Sequence, residues 1–88
     1  MSTEHSSVER PVRDREFPTR DFYLACFLRC TGYDLIDLRP EGRRKVFVFR
    51  DRPNRRDDVL AFYGDAAVVG PLAFSSTVKE LKALLHNV

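Results

Sequence analysis

The sequence has few of the residues from which metal centres and disulfides are built. It contains two cysteines and two histidines. A structural zinc site needs four ligands, and His5 stands in a polar N-terminal stretch, far along the chain from Cys26, Cys30 and His86. The two cysteines are four residues apart in a predicted helix, a spacing that rarely brings two thiols into disulfide geometry. We therefore interpret both cysteines as small apolar core residues, and we expect no metal and no cofactor.

Long apolar runs are also missing. No stretch of the sequence is long enough to span a bilayer, and neither a signal-peptide pattern nor a lipidation motif is present. A chain of this kind is expected to keep its thiols reduced. The sequence therefore predicts a cytoplasmic protein without a membrane partner.

Motifs that mark catalytic sites are missing as well. There is no glycine-rich phosphate loop and no nucleophile elbow of the form G-x-S-x-G. Ser75, Ser76 and Thr77 occur together without a neighbouring histidine. Asp34 and Asp37 fall on opposite faces of one predicted strand, so they do not form an acid–base pair. We expect the protein not to be an enzyme and to have no small-molecule substrate.

What the sequence does contain predicts one small α+β domain. Residues 1–18 are charged and aperiodic, which predicts a flexible N-terminal tail before a domain of residues 19–88. The domain is predicted to contain a helix, a β-hairpin, a short helix and a longer helix, with the helices packed on one face of the hairpin. The first helix is predicted at 20–31 with Thr19 as its N-cap, and the two strands of the hairpin at 33–38 and 45–50. The short helix is predicted at 56–65, and the last helix begins at Pro71.

The first predicted helix has an unusually wide apolar arc. Placed at 100° steps, only Asp21, Ala25 and Arg29 share one narrow strip, and the apolar residues and both cysteines fill the rest. Such an arc predicts a helix that is covered on most sides. In so small a domain it lies either between the sheet and another helix or against a partner subunit.

The second strand of the hairpin carries two phenylalanines on one face. Phe47 and Phe49 follow basic residues, a pattern reminiscent of the strand that stacks bases in RNA-recognition domains. That strand requires small residues where this chain has Val46 and Val48. Because a small sheet needs a helix over one face to be stable, we expect both phenylalanines to face the helices.

Positive charge is concentrated in one stretch of the chain. Residues 42–56 carry seven basic side chains and one carboxylate, a net charge of +6, whereas the other 73 residues sum to −4. Most of the basic residues are arginines, whose planar donor fork suits phosphate, although a GC-rich coding sequence gives the same bias. The two ends of this stretch lie roughly 20 Å apart along the hairpin, a span of several phosphates.

We therefore predict a non-catalytic module that binds DNA or RNA through backbone phosphates. No side chain shows a signature of base readout, so little sequence specificity is expected. The alternative is a protein-interaction adaptor, as a homodimer or as a subunit of a larger complex, that uses the apolar first helix and the basic hairpin. A regulator that docks in an acidic cleft is not distinguished from it. The predicted nucleic-acid-binding residues are Arg39, Arg43, Arg44, Lys45, Arg50, Arg52, Arg55 and Arg56.

Several short motifs resemble a known family. They are TRDFYLACFL at 19–28, Gly32, Gly42-Arg43-Arg44 before VFVF at 46–49, Phe62-Tyr63-Gly64-Asp65, Pro71 and ELKALL at 80–85. Over roughly residues 19–86 the chain resembles domain of unknown function 5659, a family met in phages, bacteria and mobile elements. The resemblance implies a shared fold and a setting in phage or mobile-element DNA metabolism, and it assigns no activity to any residue.

Overall fold

The computed structural model describes residues 15–87, which form a three-stranded antiparallel sheet and three helices. The predicted α+β fold is confirmed, with its helix, hairpin, short helix and longer helix in the predicted order, and the sheet has one additional strand. None of the three helices described has the length and apolar character needed to cross a membrane. The elements are β1 (Glu16–Thr19), α1 (Phe22–Cys30), β2 (Leu35–Glu41), β3 (Arg44–Arg50), α2 (Arg55–Tyr63) and α3 (Pro71–Asn87).

Strand β3 lies at the centre of the sheet, in the order β1-β3-β2. Strands β2 and β3 form the predicted hairpin, and β2 extends to Glu41, so the connection shortens to Gly42 and Arg43. Gly42 has a φ of +62°, in the left-handed region that glycine adopts without steric strain. Strand β1 pairs with the other edge of β3, with Phe17 opposite Phe49.

The predicted boundary between tail and domain is wrong for residues 16–18, which form most of β1. Four residues that include Pro18 are too few to show a strand periodicity. The strand forms because Phe17 packs on the core and because β3 offers it an unpaired edge. Proline is tolerated there because β1 is an edge strand. Arg15, just before the strand, accepts the Asp51 N–H at 2.9 Å through its carbonyl oxygen. Residues 1–14 of the predicted tail lie outside the described residues.

Helix α1 begins two residues later than predicted. Its N-cap is Asp21, whose carboxylate accepts a hydrogen bond from the Leu24 N–H at 3.1 Å. Thr19, the predicted cap, is the last residue of β1, and its hydroxyl accepts the Asp21 N–H at 3.1 Å. The predicted cap is therefore wrong, because pairing of β1 with β3 holds Thr19 in the sheet.

Helix α1 is the centre of the core. Its residues 24–28 are all buried, so the domain itself covers the middle of the helix on every side, whereas Tyr23 near its start is exposed. Phe47 and Phe49 of the sheet belong to the same buried cluster and are almost fully buried, which confirms that they face the helices. On another side Leu81 of α3 belongs to the cluster, and Phe62 of α2 stacks on Phe27 with a centroid distance of 5.3 Å. The predicted sandwich is confirmed.

Candidate nucleic-acid interface

The eight basic residues predicted from the sequence separate into two kinds. The structure gives the head groups of Arg39, Arg50, Arg52 and Arg55 partners within the domain. The others form no ion pair and no side-chain hydrogen bond with another residue in the described range 15–87: Arg43, Arg44, Lys45 and Arg56. Only the second kind keeps its donors free for a ligand without breaking a contact of the fold.

Arg39 is held on the face of the sheet opposite the helices. Its Nη2 lies 2.8 Å from Glu16 Oε1 on β1, and its Nε lies 3.0 Å from Asp37 Oδ2. The strand register places this network over Val48, which is fully buried. The Arg39 ion pairs therefore join the two edge strands across β3. Arg50 lies on the same face, with its Nε 3.7 Å from Asp34 Oδ2.

Arg52 closes the loop between α1 and β2. Its guanidinium donates to the Gly32 carbonyl oxygen and lies 4.3 Å from the centroid of the Tyr33 ring. Tyr33 is fully buried, and its hydroxyl donates to Asp58 Oδ2 at 2.6 Å. Burial and this hydrogen bond raise the pKa of Tyr33 far above its ordinary value. Arg52 and Tyr33 thus fasten the loop to α2.

Arg55, at the start of α2, is also engaged. Its Nε donates to Asp51 Oδ1 at 3.0 Å, and its guanidinium lies 4.3 Å from the centroid of the Phe17 ring. Because Phe17 is in β1, Arg55 helps to hold that edge strand. Arg56 is exposed in the first turn of α2. The arginines beyond the C-terminal end of β3 thus serve mainly to join elements of the fold.

The opposite end of the hairpin is different. Arg43 lies in the turn, and Arg44 and Lys45 are the first residues of β3. Arg43 and Arg44 are exposed and Lys45 is half-buried. Within the described residues none of these three consecutive cations forms an ion pair or a side-chain hydrogen bond, although Arg44 lies opposite Glu41 across the hairpin and adds to the effect of Arg20 in lowering the pKa of that carboxyl. They concentrate three positive charges in consecutive residues at this end of the hairpin.

An open groove of about 540 Å³ lies beside these cations. We call it the hairpin-tip groove; its lining residues are Arg20, Phe22, Arg43, Arg44, Lys45, Phe47 and Leu85. Its volume falls within the roughly 300–1,000 Å³ typical of small-ligand sites. The groove therefore combines four basic side chains with an apolar floor supplied by α1, β3 and the end of α3.

Arg20 also lines this groove, although no pattern in the sequence indicates it. Pairing of β1 with β3 sets Thr19 opposite Phe47, so the next residue of the chain reaches the hairpin tip. There the Nε and Nη2 of Arg20 both donate to the Glu41 carboxylate, with Nη2 at 2.6 Å from Oε2. This bidentate hydrogen bonding raises the pKa of Arg20 and lowers the pKa of Glu41. Glu41 is thus the carboxylate that competes for one cation of the groove.

The two cysteines are free thiols in the described structure, Cys26 buried and Cys30 half-buried. Burial raises the pKa of Cys26 to about 11. Within residues 15–87 no three histidine, cysteine or carboxylate side chains are grouped as a metal site. The basic residues at the hairpin tip suit an anion held by charge-assisted hydrogen bonds.

The model of a protein family described as Domain of unknown function (DUF5659) matches residues 14–87, and the chain belongs to this family. The resemblance inferred from the short motifs is therefore confirmed. No curated protein and no solved structure matches the chain.

Proposed function

We propose that this domain is a non-catalytic module that binds DNA or RNA through backbone phosphates, with little sequence specificity, at the hairpin-tip groove. The supporting observation is that Arg43, Arg44 and Lys45 are consecutive and have no ion-pair partner in the described part of the chain. Arg52 and Arg55, in contrast, are engaged in contacts of the fold. The contact surface proposed here is thus smaller than the full set of basic residues in the sequence.

Phosphate is the anion that best suits this group of cations. A guanidinium presents a planar fork of donors that binds phosphate oxygens in pairs, and a lysine adds a mobile point charge. The three residues lie at one end of the hairpin, in its turn and at the start of β3. No base-specific pattern of donors and acceptors accompanies them, so binding is expected to depend weakly on sequence.

Charge reversal at one position tests this proposal. We expect Arg43→Glu to weaken the binding of a labelled oligonucleotide on the order of 10-fold at about 0.1 M salt, because one phosphate contact is lost and a repulsion is added. The matched control is Lys79→Glu, which changes the net charge by the same amount at an exposed position of α3. Its affinity should stay near that of the wild type. Equal losses in both variants would mean that binding follows net charge rather than this site.

We also propose a cytoplasmic setting in phage or mobile-element DNA metabolism, a setting that the sequence resemblance implies. Co-purification from a host cell with and without nuclease treatment tests this setting. Nucleic acid that remains bound to the wild-type domain and not to Arg43→Glu would support it. Equal amounts on both proteins would contradict it.

The adaptor alternative loses the observation that motivated it. It rested on apolar surface of the first helix, and α1 is covered by the sheet and by the other two helices. Among its large apolar residues Tyr23 is the exposed one, with 55 % of its surface accessible. Light scattering separates the two functions, because self-association without nucleic acid supports the adaptor and a monomer that shifts with nucleic acid supports the module.

A further inference from the structure

The hairpin-tip groove contains aromatic rings as well as cations, and pure phosphate binding does not require them. We infer that the groove takes an unpaired nucleotide, with its phosphates on Arg43, Arg44 and Lys45 and its base against Phe22. This inference rests on the proposed function and specifies its substrate as single-stranded DNA or RNA rather than a duplex. It follows from the position, packing and size of the groove's apolar side chains.

Phe22 is the side chain that carries the inference. It lines the groove beside the three cations and is only half-buried. Its ring meets Tyr23 and Phe47 at steep interplanar angles of 79° and 61°. Among the described residues no aromatic ring stacks in parallel on Phe22. Because Phe22 lines the groove, a flat group that enters from solvent meets this ring.

The other floor residues make the site apolar without blocking it. Phe47 is 2 % exposed and belongs to the core, so it forms the bottom of the groove. Leu85, from the last turns of α3, is half-buried and borders the groove. A bare inorganic anion binds the cations at the rim but gains no binding free energy from the apolar floor. It is favourable for an anion that also carries a flat apolar group.

A nucleotide within a single strand has this combination, because its base is free to leave the stack while its phosphates stay at the rim. In a duplex the bases are paired and stacked, so only phosphates reach the groove. Positively charged grooves with aromatic side chains are the general means of binding single strands without sequence preference. One base stacked on an aromatic side chain strengthens binding by roughly 5- to 150-fold.

The test compares a single strand with an abasic oligomer of equal charge, and the duplex of the same sequence serves as a third probe. The three probes are a single strand of about 12 nucleotides, an abasic oligomer with the same number of phosphates, and the duplex of the same sequence. We expect the single strand to bind at least about 5-fold more tightly than the abasic oligomer. This comparison uses the wild-type domain and does not depend on any variant being stable.

A variant then assigns the difference to one ring. Phe22→Leu keeps an apolar side chain and removes the aromatic surface, so it should abolish the preference for the single strand over the abasic oligomer. Phe74→Leu is the matched control, since Phe74 is a half-buried phenylalanine that lines a different, apolar cavity. It should leave the preference unchanged. Thermal unfolding of both variants verifies that they are folded at the assay temperature.

The outcomes separate the inference from the function on which it rests. Equal, salt-dependent binding of the single strand and the abasic oligomer would overturn the inference and leave phosphate binding intact. A loss of affinity for both ligands in Phe22→Leu would make Phe22 a structural residue and would also overturn it. Absence of binding to all three probes would overturn the inference together with the proposed function.

Discussion

Glu41 is the residue whose replacement should strengthen binding. Its carboxylate accepts two hydrogen bonds from Arg20 and so occupies one of the four cations of the hairpin-tip groove. Glu41→Gln removes the negative charge and keeps a side chain of the same size. Arg20 is then free to contact phosphate, and the groove presents four cations with no carboxylate beside them. We therefore expect a gain in affinity from the loss of an ion pair.

The size of the gain follows from counterion release. For a single strand each phosphate contact adds about −0.7 to the slope of log K against log salt concentration. One additional contact at about 0.1 M salt therefore raises the affinity by about 5-fold, and the slope becomes more negative by about 0.7. The stability of the domain should hardly change, because both partners of this ion pair are exposed.

Fluorescence anisotropy with a labelled single strand, repeated at several salt concentrations, measures both quantities. The matched control is Glu16→Gln, which also removes one carboxylate from an arginine ion pair. Its partner Arg39 lies on the sheet face opposite the helices, away from the groove. Both variants gain the same net charge, so only a local effect distinguishes them. The reasoning is refuted if Glu16→Gln raises the affinity as much as Glu41→Gln does, or if Glu41→Gln weakens binding.

Two further predictions concern the fold that carries the groove. Tyr33→Phe removes the hydroxyl that donates to Asp58 and keeps the ring beneath Arg52. Urea unfolding should therefore show that the free energy of unfolding falls by roughly 1–2 kcal/mol. An unchanged free energy of unfolding would mean that this hydrogen bond makes no net contribution to stability. Cys26, whose pKa burial raises to about 11, should be alkylated much more slowly than the half-buried Cys30 in the native domain at about pH 8 and equally fast in urea. Mass spectrometry after brief labelling measures this, and equal native rates would contradict the burial of Cys26.

Much of the fold was predictable because local sequence patterns specify its elements. The hairpin follows from two β-branched and aromatic runs around Gly42, and the burial of Phe47 and Phe49 follows from their alternation along one strand. The wide apolar arc of α1 correctly indicated a helix enclosed on most sides. Pro71 is the first residue of α3, as its fixed φ favours.

The rest depends on contacts between distant parts of the chain. Strand β1 is specified mainly by the free edge of β3, so a four-residue segment with a proline gives no local signal. The same pairing brings Arg20 to Glu41, and no sequence spacing indicates that. Which arginines are held in internal contacts was equally hidden, because Arg39 reaches Glu16 across a whole strand. The sequence therefore located the positive charge, but only the tertiary structure showed which basic side chains form no ion pair within the described residues.

The salt dependence of binding tests the central claim most directly. With three cations on a single strand, log K should fall against log salt concentration with a slope of about −2, an affinity loss of about 18-fold between about 50 and about 200 mM. Replacing Arg43, Arg44 and Lys45 together by glutamine should bring the slope close to zero. A wild-type slope near zero would contradict phosphate binding. A slope near about −6 would mean that all eight predicted residues contact phosphate, against the internal pairing described above.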